Sequence, residues 1–135
     1  MEPELSDTLL ALAAVALGSA AGGAARFLVS GLVARRVGET FPWGTMTVNV
    51  TGAFALGFLA ARLAGDASLF RALAATGFLG SYTTVSSLSL QTLALVRDGE
   101  RARAAANVAL SLLLGLGAAA LGLALGGGIT GGVAP

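Results

Sequence analysis

From Ala72 to Val96 the chain carries no charged residue, and a helix of that length crosses the hydrocarbon core of a bilayer. Yet the middle of this run reads Gly80-Ser81-Tyr82-Thr83-Thr84-Val85-Ser86-Ser87, with six side chains that can donate a hydrogen bond. Hydrocarbon satisfies no such group, and irregular backbone at that depth persists only where protein or a wet cavity surrounds it. The stretch is therefore a candidate functional site. The plainer alternative has Ser and Thr bonding back to their own helix or gluing helices together. That explains one or two hydroxyls better than a cluster beside a glycine.

Charge gaps define four predicted spans: about 8–34, interrupted by Arg26, then 43–61, 73–96 and 104–125. Their connections are short, Arg35 to Pro42, Arg62 to Arg71 and Arg97 to Arg103, which favours antiparallel neighbours. The expectation is an all-α membrane protein of four transmembrane helices, the third broken near its middle, in one domain over residues 1–135. The glycine-rich tail, 126–135, is expected to fray. A hydrophobic share of 56% with only 11% charged residues agrees with this class. The absence of Cys and His excludes disulfides, thiolate chemistry, imidazole metal sites and a histidine base. With no embedded acid and no Lys, no nucleophile–base pair can be assembled, so an enzyme is not expected. A net charge of +1 offers no nucleic-acid footprint. Glu2, Glu4 and Asp7 precede the first apolar run without a basic residue, so that run is expected to be retained rather than cleaved as a signal.

The first and third connections carry Arg35, Arg36, Arg97, Arg101 and Arg103, against Arg62 and Arg71 on the other side. Five against two predicts the termini outside and the five-arginine side in the cytoplasm. Small residues, among them Gly18, Gly22, Gly23, Gly52, Gly57, Gly115, Gly117 and Gly122, offer close helix approach. Four helices this thin can hardly enclose an aqueous path, so a pathway is expected where copies meet.

Asn49 falls near the middle of the second span, where an amide must face protein or water. Thr47 and Thr51 are less telling, since either can bond within its own helix. Asn107, Ser111 and Gly115 share one face of the fourth span, either as a track for a small ion or as an interhelical hydrogen-bond seam. Arg26, about two turns inside Arg35, either snorkels to the interface or lines a vestibule that concentrates anions. No acidic residue lies within any span. Proton- and cation-coupled carriers rely on embedded carboxylates, so the donors that remain suit a small anion.

Three motifs carry a family resemblance: Gly22-Gly23-Ala24-Ala25-Arg26-Phe27, then Pro42-Trp43-Gly44-Thr45-Met46-Thr47-Val48-Asn49-Val50-Thr51-Gly52, then Gly77-Phe78-Leu79-Gly80-Ser81-Tyr82-Thr83-Thr84. In order, spacing and span number, they resemble the CrcB/Fluc family of fluoride channels over nearly the whole chain. The resemblance implies a passive, selective fluoride exporter of the inner (plasma) membrane, surrounded by lipid. Its form would be an antiparallel, dual-topology dimer with pores along the interface. It further implies Asn49, Ser86, Ser87 and Ser111 in the pore and Arg26 at the vestibule. A structural Na⁺ at the dimer centre would be held by backbone carbonyls at Gly80 and Thr83.

The chain departs from the family pattern at several positions. Val85 and Leu88 replace a pair of phenylalanines, whose positively polarised edges are thought to face fluoride. Gln91 replaces a glutamate, Asn107 a tyrosine, and Gly115 a serine. One explanation is a homodimer whose pore uses Gln91 and Asn107 as other donors. The other is a heterodimer in which a paralogous subunit supplies the rings, and the arginine bias suits such a fixed orientation. A small multidrug-resistance-type exporter would want a carboxylate in the first span, and Thr8 to Ala25 has none. A non-conducting structural partner explains the glycine faces but not Asn49 with the hydroxyl break.

Overall fold

The computed structural model describes residues 2–66 and 68–128. Helix α1 spans Pro3–Val37 and α2 Trp43–Arg62. The third membrane element is segmented: α3 (Leu69–Arg71), a π-helical stretch π1 (Ala72–Leu79), α4 (Gly80–Tyr82) and, after a gap, α5 (Val85–Arg97). Helix α6 spans Arg101–Gly128. Among these, α1, α2 and α6 are each long and apolar enough to cross a membrane, and the segmented stretch between α2 and α6 is the fourth helical element of the bundle.

Local chemistry sets the ends. Pro3 opens α1 at a position where no amide donor is needed. Arg35 and Arg36 occupy its last turn, where cations complement the helix dipole. Gly38 then turns the chain at φ 86°, its N–H bonded to the carbonyl of Ala34 at 2.9 Å. Pro42 precedes α2. Ser68 caps α3 by accepting the Arg71 N–H at 3.3 Å, and Asp66 in turn accepts both the N–H and the hydroxyl of Ser68 at 2.9 Å.

Glycine brings the helices to backbone contact. On α6, Gly122 lies against the Phe54 carbonyl and Gly126 against that of Phe58, while Gly57 of α2 lies against Ala119. On α1, Gly18 and Gly22 meet Leu73 and Phe78 of π1, and Gly77 sits between Val15 and Gly18. Gly44 seats the start of α2 on Ser30. Val48, Met46, Leu79 and Ala104 are buried.

Several expectations change. Of the tail assigned to 126–135, Gly126–Gly128 are helical and Gly126 is buried on Phe58; 129–135 lies outside the described residues. The outer helices also overrun their expected limits of 8–34 and 104–125: charged turns extend both ends of α1 and the start of α6, and Gly126–Gly128 extend the end of α6. Gly18, Gly22, Gly52, Gly57 and Gly122 make the expected close approaches. Gly23, Gly115 and Gly117 do not: nothing lies within 4 Å of where their side chains would begin.

Candidate functional site: a groove leading to a helix break

The break comes at Thr83 and Thr84, two extended residues (ψ 155° and φ −151°) between α4 and α5. Hydroxyl-bearing residues offer the backbone local alternatives to helical pairing, which makes this composition prone to such an interruption. Thr84 caps α5, its Oγ1 accepting the Ser87 N–H at 3.2 Å. The same oxygen lies 3.1 Å from Ser86 Oγ and donates to Ser87 Oγ at 3.2 Å.

Asn49 reaches the break from α2. Its Oδ1 accepts the Thr84 N–H at 2.7 Å, and its Nδ2 donates to the Thr84 carbonyl at 2.9 Å. In an unbroken helix that N–H would go to the carbonyl of Gly80. Gly80 is exposed, with open space around it except for the Ala75 carbonyl, 3.9 Å from where a side chain would begin.

Two joined clefts lead to this point. The outer, of about 470 Å³, opens at the end of the bundle where α1 and α5 finish and α2 begins; Glu39, Asp98, Thr45, Ser87 and Gln91 help to line it. The inner, of about 260 Å³, is lined by Arg26, Ser30, Thr45, Thr84, Ser86 and Ser87. Phe27, Ser30, Thr45 and Ser87 belong to both, making one groove. The groove carries carboxylates at its mouth and a guanidinium farther in. Neither Glu39 nor Asp98 nor Arg26 is in an ion pair among the described residues; the pair that forms, Arg103 with Glu100 at 3.7 Å, lies exposed.

The predicted residues divide accordingly. Arg26, Ser86, Ser87 and Gln91 line the groove. Asn49 is half-buried behind it, bonded to Thr84. Asn107 is 1% exposed and donates to Thr92 Oγ1 at 3.0 Å, a hydrogen bond across the seam of α5 and α6. Ser111 Oγ and Gln91 Oε1 are shut away from solvent without a hydrogen-bond partner, an unusual condition for buried polar atoms. Val85, 76% exposed, points away from the protein, and Leu88 is half-buried; neither lines the groove. Thr47 bonds within α2, to Trp43. Thr51 bonds to Thr47 and also meets Tyr82 Oη at 3.1 Å.

Sequence reasoning passed over Ser30 and Thr45, whose hydroxyls border the groove, and the two mouth carboxylates. Thr92 was also missed: its link to Asn107 depends on how two helices register, which no local pattern encodes.

The arrangement offers hydroxyl, amide and guanidinium donors along an open-sided path, with no carboxylate beyond its mouth. A family model described as CrcB-like protein, Camphor Resistance (CrcB), matches residues 13–123. A protein of Rhodopseudomonas palustris (strain BisB18), named Fluoride-specific ion channel FluC 2, is 57% identical over 125 residues, covering 89% of this chain and 95% of the relative. The Fluoride-specific ion channel FluC 2 of Bradyrhizobium diazoefficiens is 54% identical over 123 residues, 87% of this chain and 90% of the relative. That of Opitutus terrae, named Fluoride-specific ion channel FluC, is 51% identical over 113 residues, 80% and 86%.

Proposed function

This chain belongs to the CrcB family, and from that membership we propose that it is a fluoride-specific channel, letting F⁻ leave the cytoplasm passively across the inner membrane. The observation that carries the proposal is the groove itself: lined by donors, free of deep carboxylates and ending at a broken helix. Fluoride is compact and strongly hydrated, so it crosses only where fixed O–H and N–H groups replace its water. Arg26 raises the local anion concentration inside the mouth. Ser86, Ser87 and Gln91 then offer donors toward the break, and Gln91 can turn its amide N–H₂ toward an ion in place of the oxygen now left without a partner. Asn49 stands behind the break, while Asn107 stays in the α5–α6 seam on Thr92 and lies outside the groove.

The groove is open along its side, so the pathway is completed by a second subunit packed antiparallel against it. That subunit is another copy of this chain or a paralogue. Large apolar side chains exposed on the bundle, including Phe27, Leu28, Leu113 and Leu116, face lipid or this partner. Val85 projects outward and Leu88 stands one turn on, where the family's phenylalanine pair would be. Gly80 and Thr83 would hold Na⁺ at the dimer centre through their carbonyl oxygens, and such an ion would tie the two broken helices together.

The deciding experiment is fluoride efflux from liposomes containing only this purified chain, read with a fluoride electrode, with chloride as the control. Rapid efflux that excludes chloride is the expected result and makes the chain self-sufficient as a homodimer. Efflux appearing only on co-reconstitution with a paralogue assigns it to a heterodimer. Folded protein that passes no fluoride under either condition refutes the proposal.

A further inference from the structure

We infer that Asn49 is a positioning residue whose amide clamps the Thr84 peptide and thereby holds the helix break in one register. The clamp rests on two short bonds in opposite senses: Thr84 N–H to Asn49 Oδ1 at 2.7 Å, and Asn49 Nδ2 to the Thr84 carbonyl at 2.9 Å. A side-chain amide presents a donor and an acceptor in one plane, as a peptide does. Aspartate presents two acceptors when ionised, serine a single hydroxyl, and glutamine the same groups one methylene farther out. The amide thus replaces helical pairing at Thr84, the second of the two extended residues in the break.

Two neighbours complete the seat. Thr51 Oγ1 lies 3.1 Å from Tyr82 Oη. Gly52 lies beneath the Thr83 methyl group, and a side chain there would begin 3.1 Å from Tyr82 Cδ1. Tyr82, Thr83 and Thr84 therefore each rest on α2. Held this way, Thr84 turns its hydroxyl to the start of α5, where it meets Ser86 and Ser87. Asn49 acts on the groove through Thr84. With its acceptor and one N–H engaged, the amide retains a single hydrogen for an ion.

The consequence for conduction rests on the channel reading, whereas the clamp can be measured without fluoride. Hydrogen–deuterium exchange of the full chain in lipid nanodiscs, resolved at Thr84, supplies the first readout. The Thr84 amide should exchange slowly although it lies outside any helix. Asn49→Ala should speed its exchange about tenfold or more and leave α6 amides unchanged. Asn49→Asp, which keeps an acceptor, should retain more of the protection.

The second readout is the ratio of fluoride to chloride flux per open channel, which a mere loss of folded protein leaves alone; Asn49→Ala should lower it. A Thr84 amide unprotected in the unaltered protein overturns the clamp, even if every variant fails to fold. Unchanged Thr84 exchange in Asn49→Ala, with selectivity lost, overturns it in favour of direct ion contact. Should the unaltered chain pass no fluoride at all, the channel reading falls and the exchange comparison still decides the clamp.

Discussion

Replacing Gly57 by alanine tests whether the α2–α6 contact is set by backbone approach. A methyl group built there overlaps the Ala119 carbonyl oxygen and stands 3.1 Å from its carbon and 3.2 Å from its Cα. Comfortable carbon contacts begin near ~3.5 Å, so relief demands a separation on the order of 1 Å, enough to forfeit a quarter to a half of the dispersion at neighbouring contacts. Those neighbours include Gly122 on Phe54 and Gly126 on Phe58. Overpacking of this kind costs about 1–3 kcal/mol, and the lost contacts add to it. Against this, alanine is the better helix former by about 1 kcal/mol. The expected net effect is destabilisation by about 2 kcal/mol. Gly115→Ala, on the same contact helix but with nothing within 4 Å, should instead be neutral or stabilise by up to about 1 kcal/mol. Equilibrium unfolding in mixed micelles, followed by fluorescence of Trp43, the chain's sole tryptophan, measures both variants. Equal stabilities, within about 0.5 kcal/mol, would refute backbone approach as the determinant of this interface.

Asn107→Ala should destabilise the fold by about 1–2 kcal/mol, since it removes the donor to Thr92 in an apolar seam. Asn107→Leu combined with Thr92→Val should recover much of that loss in the same unfolding assay. Arg26→Gln should slow initial fluoride efflux several-fold at low ionic strength, and the difference should shrink near ~1 M salt, where the screening length is about 3 Å. An effect of Arg26→Gln that ignores salt would rule out electrostatic concentration of the anion.

Much of this was legible in order along the chain. Uncharged runs located the four membrane elements because burial in hydrocarbon acts on composition, residue by residue. The hydroxyl cluster located the break, since side chains that can bond their own backbone weaken helical pairing where they stand. Arg26, Ser86 and Ser87 stood out by polarity, Gln91 only through the family resemblance, and all four border the groove. Asn49 was identified as unable to face lipid, but the purpose of its amide was not legible: Thr84 lies 35 residues away, and their meeting depends on how α2 crosses the segmented helix. Asn107 was open between ion track and seam until Thr92 was found opposite it.

The glycines divide along the same line. Gly57 and Gly115 look alike in sequence, yet one is pressed against Ala119 and the other has open space around it. Composition and local chemistry settle what a segment must do, because the penalties of burying charge or leaving a polar group unpaired belong to each residue. Which groups meet is settled by packing, because a contact depends on the distance and register between segments that the linear order leaves free.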